Sequence, residues 1–515
     1  MRRRRFHRHL LQTGLLALGG AGAGCATRPR PAPNQPGPVS RAPVTGRPGI
    51  ELPPPAGPAP VMHLPAIRAE RLTPGPTDAG PGLIVATRPD LPLVSVSVMM
   101  RCGSASDPPG RAGCAQLLAQ LLTRGTLRGS VPVDAATLAR QAEALGSPVE
   151  TTLRDDLIAL TMTVTTPRWP QALALLTDLL RQPLLLPAEL QAALAQARDA
   201  LALRLQDPAL LATLVMRRAA WGRSPHGTVA TPDTLAQIRR NDLVALHRRG
   251  CRPERIAVAL AGDVDVATAR GVVRGVLGPW HALPDGPALP DIASAPPDPV
   301  LAPTLLVHLA GAVQSSVRVG LPFVGLDAPD RLAGQLAAAV LGGGYSARLG
   351  QELRIRRGLT YAATTRIEQQ RAGGLLVAEV QTEHRHAAEV AALMRAQCLA
   401  LATQPPGEAE LAARRSALLG TLARQLDTTG GLVAQLGETW SQGLPADTLA
   451  RLPAQLAAID ADAVRTFAQR HWPAEALRTV VVGRIDAPAW READAPALRL
   501  DAHALALDQP GLLRR

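Results

Sequence analysis

The chain has 515 residues, 46% of them hydrophobic, with a formal net charge of +13. That length and apolar content exclude a largely disordered protein and allow two or more domains with cores of their own. All 55 basic residues are arginines, scattered among Asp and Glu with only 2% aromatic residues between them, so the positive balance outlines no nucleic-acid face and is accounted for equally well by a GC-rich codon bias.

Residues 1–25 read as an export signal: MRRRRFHRHL is a charged n-region, followed by a short apolar stretch ending in small residues. Arg3, Arg4 and Phe6 fit a twin-arginine pattern, and Cys25 follows Gly-Ala-Gly, as a lipidated cysteine would. The alternative is ordinary cleavage near Ala23 with Cys25 left free. Either way the expected location is the periplasm, or a membrane-anchored lipoprotein of a bacterial envelope. Residues 26–65 are proline-rich, lack the apolar content to order themselves, and read as a tether.

The first folded region spans 66–277. An alternating strand at LPLVSVSVMM (91–100) precedes GCAQLLAQLLTRGT (113–126), a helix with Leu117, Leu118, Leu121 and Leu122 on its apolar stripe and a stop at Gly125. Gln116 and Gln120 sit four residues apart and share one face of it. A strand at 156–166 and long helices from Trp169 to Gln206 follow. Cys102, Cys114, Cys251 and Cys398 are even in number, as in an oxidising compartment. Cys102 and Cys114 flank one loop and are candidates for a bridge, and no C-x-x-C pair offers a cysteine zinc site.

A proline-rich linker, 278–301, leads to a second folded region, 302–490, and a tail, 491–515. The two regions repeat: IRRNDLVALHRRGCRPERIAVALAGDVD (238–265) lies over IDADAVRTFAQRHWPAEALRTVVVGRID (459–486) without a gap. Each copy reads as a helix capped at Asn241 or Asp462, a loop, and a strand ending at Gly262 or Gly483. The order of elements is α+β, each half a mostly antiparallel sheet covered by helices. His384 and His386 in EHRH, with Glu383 and Glu389 nearby, have chelating spacing but fall at a strand-to-helix turn and read as loop residues.

Two segments carry a family resemblance. The helix at 113–126 resembles the G-x-A-H-x-x-E-H-x-x-x-x-G-T segment of peptidase family M16, the pitrilysin, insulinase and mitochondrial-processing-peptidase family, matching at Gly113, Ala115, Gly125 and Thr126. SARLGQELRIRRGLTY resembles the family's S-R-L-x-x-x-L-R-x-x-x-G-L-x-Y at Ser346, Arg348, Leu349, Leu353, Arg354, Gly358, Leu359 and Tyr361. The resemblance, over roughly 80–490, implies two homologous repeats of the M16 metallopeptidase (LuxS/MPP-like) fold.

The same resemblance implies a zinc site built from two histidines four apart, a glutamate base between them, and a third glutamate ligand on a later helix. Here those positions carry Gln116, Gln120, Ala119 and, counting back from Asp207 and Pro208, Ala200. Amides and methyl groups replace imidazole and carboxylate, so the scaffold is expected to bind no metal itself. Arg354 and Tyr361 match the family's pair that holds substrate and stabilises charge on its carbonyl. The implied function is the non-catalytic subunit of a heterodimeric zinc metalloendopeptidase. It would lend Arg354 and Tyr361 to a partner that carries H-x-x-E-H and the zinc. Peptide would bind as an added strand on an exposed sheet edge near 371–380. Two other readings stand beside it: a peptide-binding or scaffolding module without cleavage, and an active metallopeptidase with displaced ligands.

Overall fold

Val94, Val96 and Val98 alternate with Ser95 and Ser97, and the strand is buried on both faces from Val94 onward, because helices from both halves of the chain cover its sheet. The computed structural model describes residues 65–72, 80–277, 289, 294–485 and 497–513, all within one compact unit, Ala59–Arg515. The export signal, Cys25 and the tether up to residue 64 lie outside the described residues.

In chain order the first half comprises β1 (Ile67–Arg71), β2 (Gly82–Thr87), β3 (Leu93–Met100), α1 (Cys114–Leu121), the hairpin β4 (Gly125–Arg128) and β5 (Val131–Asp134), and α2 (Ala135–Leu145). It continues through β6 (Glu150–Leu153), β7 (Ile158–Thr165), α3 (Trp169–Arg181), α4 (Pro187–Gln206), α5 (Pro208–Trp221), α6 (Pro232–Gln237), α7 (Arg240–Gly250), β8 (Ile256–Gly262) and α8 (Val266–Leu277). The second half comprises β9 (Thr304–His308), β10 (Ser315–Phe323), α9 (Arg331–Gly342), a π-helical segment Gly350–Arg356, β11 (Ala363–Gln370), β12 (Gly373–Thr382) and α10 (Ala387–Ala400). It ends with α11 (Glu408–Asp427), α12 (Thr429–Ser441), α13 (Thr448–Ala457), α14 (Ala461–His471), β13 (Arg478–Gly483) and β14 (Ala497–Asp501).

The first sheet has the order β1-β2-β8-β3-β7-β6 and the second β14-β9-β13-β10-β12-β11. Neighbours are antiparallel except β2–β8, β9–β13 and β9–β14. The sheets are therefore the same sheet twice, with the N-terminal strand β1 closing one and the C-terminal strand β14 closing the other. A displacement of 221 residues carries α4 onto α11, α7 onto α14 and β8 onto β13, with Gly262 falling on Gly483. The helix caps fall two residues before those expected. Arg239 and Asp460 are the N-caps, and Asp460 accepts the Ala463 N–H at 2.7 Å, whereas Asn241 and Asp462 lie within the first turn.

One boundary and one strand position differ from the sequence reading. The segment expected as a tail is part of the fold: β14 pairs with β9, Leu507 and Leu512 are buried, and Arg218 donates to the carbonyls of Leu507 (2.7 Å) and Asp508 (2.9 Å). The strand expected to offer an edge near 371–380, β12, lies between β10 and β11, so its ladder is filled on both sides. The true edge there is β11, and in the first sheet the corresponding edge is β6.

The halves exchange helices. α5 of the first half packs on β10 and β13 of the second sheet, and α12 of the second half packs on β3 and β8 of the first. At each contact a methionine fills the space above a glycine. A Cβ on Gly437 of α12 would stand 2.8 Å from the Met99 sulfur of β3, and a Cβ on Gly320 of β10 would stand 2.8 Å from the Met216 sulfur of α5. Met99 and Gly320 occupy equivalent positions, as do Met216 and Gly437. The repeat thus keeps the fit while exchanging which element carries the knob.

The four described cysteines are free and buried, so the bridge considered between Cys102 and Cys114 does not form. Cys102 turns into α7: a Cβ on Gly250 would lie 2.8 Å from its Cβ and 3.1 Å from its Sγ. Cys114 is the first residue of α1. Burial pushes the Cys102 thiol up to about 12, which suppresses the thiolate needed for exchange. All four thiols are expected to stay unreactive to an aromatic disulfide reagent in the native protein and to titrate after unfolding. A reducible Cys102–Cys114 bridge in a non-reducing peptide map would contradict this.

Candidate functional site

The helix with the glutamine face is held at its start by one carboxylate. Asp107 accepts the N–H of Gly113 at 2.7 Å and of Ala115 at 2.6 Å, satisfying donors that no helical carbonyl reaches. Gly113 sits at φ +101°, where a Cβ would also come within 2.7 Å of Leu235 Cδ2, so glycine is required there. Ala115, Leu117, Leu118, Ala119 and Leu121 face the core. Thr126, the last motif residue, is buried and donates to the carbonyls of Asp178 (2.7 Å) and Gln182 (3.0 Å). The motif residues this chain keeps are those that build the helix and its exit.

Gln116 is exposed on α1, and Gln120 is half-buried, its Oε1 buried without a hydrogen-bond partner among the described residues. Ala119 between them is buried. Ala200 does not face the core: it lies on the exposed side of α4, whose buried side carries Leu190, Ala193, Leu194, Ala197 and Leu201. An estimate counted from Asp207 could not fix the phase of a twenty-residue helix. No side chain on the buried side of α4 can bind a metal. Two amides and a methyl group on α1 do not fit zinc, which takes imidazole, thiolate or carboxylate. Among the described residues no group of three or more His, Cys, Asp or Glu is placed to hold a metal ion.

Behind α1 lies a polar network that the sequence did not signal. Asp155, between β6 and β7, accepts from Ser104 Oγ (2.6 Å), Arg217 Nη2 (2.7 Å) and Gln370 Nε2 (3.2 Å), and His226 Nδ1 stands 3.9 Å away. Gln370 comes from the second half, so the network ties the halves together. Burial pushes the Asp155 carboxyl up, but His226, Arg217 and Ser104 outweigh it and hold the group well below the usual carboxylate range. Asp107 goes the other way: burial raises it to about 7 against the pull of its two backbone donors and Arg217. Its folded value lies above its unfolded one, so the native form binds that proton more tightly. The stabilisation is complete below about pH 4 and is lost as pH rises through about 7. The unfolding midpoint is expected to fall from pH 5 to pH 8, and to fall less in Asp107→Asn. An equal fall in the variant would assign the dependence elsewhere.

In the second half the S-R-L segment divides into anchors and presented groups. Arg348 pairs with Glu410 at 2.9 Å and donates to the Gln404 carbonyl at 2.8 Å, Ser346 accepts from Arg414 at 2.7 Å, and Leu349 and Leu353 are buried. Arg356 and Arg357 are held by Glu352 at 3.1 and 2.7 Å. Arg354 is different: its guanidinium lies over the Tyr345 ring, 4.2 Å from the centroid, and makes no hydrogen bond or ion pair among the described residues. It is a cation held in place by stacking with its donors unused. Tyr361 is not a core residue; it is 88% exposed. No hydrogen bond or ion pair among the described residues joins Gln116 or Gln120 to Arg354 or Tyr361. His384, in the H-x-H turn, is engaged by Ser315 Oγ at 2.8 Å and the Ala312 carbonyl at 3.0 Å.

Comparison with known proteins places this geometry. Residues 84–227 match the family described as Insulinase (Peptidase family M16), and residues 237–418 match the Peptidase M16 inactive domain. An uncharacterised zinc protease of Mycobacterium tuberculosis is 25% identical over 73% of this chain and 85% of its own length. A non-peptidase homolog of Helicobacter pylori is 25% identical over 54% of this chain and 62% of its own. The crystal structure of a peptidase M16 inactive domain from Pseudomonas fluorescens superposes with a TM-score of 0.73 at 22% identity, covering 82% of this chain and 98% of that one. Two M16 matches on one duplicated fold lead to one statement: the chain belongs to peptidase family M16.

Proposed function

We propose that this chain is the non-catalytic subunit of a two-subunit M16 metalloendopeptidase. A separate H-x-x-E-H subunit carries the zinc, and this chain presents Arg354 and Tyr361 to the peptide bound there. The observation that carries the reading is the contrast between the two motif segments. α1 keeps its cap and exit but offers amides and a methyl group where ligands belong, whereas the second segment holds a stacked guanidinium and an exposed phenol free to donate. Such donors act on a developing oxyanion. The non-peptidase homolog among the relatives agrees with a chain inactive alone.

The part of the peptide that extends beyond the partner's zinc docks as an added strand on this chain's β6, which is a sheet edge, is exposed at Glu150, Thr151 and Thr152, and has α1 packed beside it. In this reading the export signal and a lipidated Cys25 hold the complex at the envelope on the 26–65 tether.

Affinity purification of the tagged full chain from its native host, followed by mass spectrometry, tests the pairing. The expected result is an equimolar M16 subunit with an intact H-x-x-E-H. Recovery of the chain with bound peptide and no such subunit would overturn the pairing and leave a peptide-binding module.

A further inference from the structure

The internal repeat supplies a control for one feature of the second half. In the first half, where α12 begins over the sheet, the polar groups close on one another: Ser95 meets Thr163 at 2.7 Å and Thr429 at 2.8 Å, and Thr161 donates to Ser97 at 2.9 Å. Strand registers put Ser316 and Gln381 at the positions of Ser95 and Thr163, and Arg318 and Glu379 at those of Ser97 and Thr161. Thr429 opens α12, and its counterpart at the opening of α5 is Pro208, which has no hydroxyl. Ser316 is 1% exposed, and its hydroxyl makes no hydrogen bond among the described residues, while its backbone lies in the ladders with β12 and β13. Beside it Arg318 pairs with Glu379 and donates to the Ala209 carbonyl at 2.8 Å.

A pocket of about 380 Å³ opens over these groups, with Gln314 and Gln381 on its walls and Tyr361 at its side. The first half shows that the fold closes this place with hydroxyls alone, so neither the ion pair nor the orphaned serine is demanded by the architecture. We propose that the pocket is a subsite for one uncharged, hydrogen-bonding side chain, a carboxamide above all, of an extended peptide lying beside Tyr361. The proposal rests on the reading that this chain binds peptide. The volume, at the low end for a small-molecule pocket, admits a side chain rather than a longer folded segment. Arg318 and Glu379 neutralise each other, so a charged side chain would enter without a counterion. An apolar one would leave Ser316 unpaired.

The test uses fluorescein-labelled peptides in which Ala alternates with one residue, Gln, Glu, Arg or Met. Every second side chain of an extended strand faces the same way, so every second register offers that residue to the pocket, at several places along the peptide. Anisotropy titrations with the full chain are expected to give the Gln peptide about fivefold or more tighter binding than the near-isosteric Met peptide. Ser316→Ala removes the hydroxyl, and Pro208→Thr supplies it with the partner it has in the first half. Each is expected to bring the two peptides within about twofold, with Met-peptide affinity unchanged. Equal binding of all four peptides by the parent chain would overturn the subsite and leave peptide binding standing. A Gln preference that survives both substitutions would also overturn it. Binding of none would overturn the peptide-binding reading and the subsite with it.

Discussion

Tyr361→Phe and Arg354→Ala are each expected to lower kcat/KM of the reconstituted two-subunit peptidase by about 10²–10³-fold, the range for loss of one preorganised oxyanion donor. Affinity between the subunits should stay unchanged, because in this reading both groups contact the bound peptide and not the partner chain. Tyr361 is 88% exposed, and Arg354 rests on Tyr345 with its N–H groups unused. Arg354→Lys is expected to be nearly as damaging, because an ammonium neither stacks as a plane nor offers a fork of donors. Arg356→Ala and Arg357→Ala are the controls: Glu352 holds both, and each should change kcat/KM by less than about twofold. Losses of the same size at Arg356 would mean that the segment acts only as a structural element.

The second large effect lies in the contact between halves. Met99→Gly is expected to cost about 3–6 kcal/mol of stability, about 2–5 for truncating a buried methionine and about 1 for a glycine within a strand. Gly437→Met alone should cost about 1–3 kcal/mol by overpacking, since even a Cβ there would stand 2.8 Å from the Met99 sulfur. The double variant M99G/G437M places glycine on the strand and methionine on the helix, the arrangement of Gly320 and Met216 in the equivalent contact. It should recover most of the loss, short of about 1 kcal/mol for a glycine within a strand. Urea midpoints of the four proteins form a double-mutant cycle. Additive losses would mean that the two contacts are not interchangeable.

How much of this was legible in the sequence depends on the range of the forces involved. The duplication could be read because helix α7, its loop and β8 recur in α14 and β13 at one fixed displacement, and apolar periodicity is a local property. The glutamine face of α1 was legible for the same reason. The helix caps were missed by two residues, because a cap is set by which carboxylate reaches a free N–H and not by the first polar residue of the pattern. The last strand, ALRLD, reads as tail because five residues carry too little alternation; only β9 beside it makes it a strand. Asp107, Asp155 and Ser316 gave no signal at all. An isolated acid or serine becomes informative only when burial and long-range partners are fixed, and Gln370 reaches Asp155 across 215 positions of sequence.

α1 presents amides and a methyl group where a zinc site would stand, and the rest of the functional reading depends on that. Zinc content and peptide hydrolysis of the isolated full chain, measured by elemental analysis and with a quenched-fluorescence peptide library, test it most directly. The expected result is well under one zinc per chain after dialysis and no hydrolysis until an H-x-x-E-H subunit is added. One tightly held zinc per chain, with hydrolysis by the chain alone that a chelator abolishes, would contradict it.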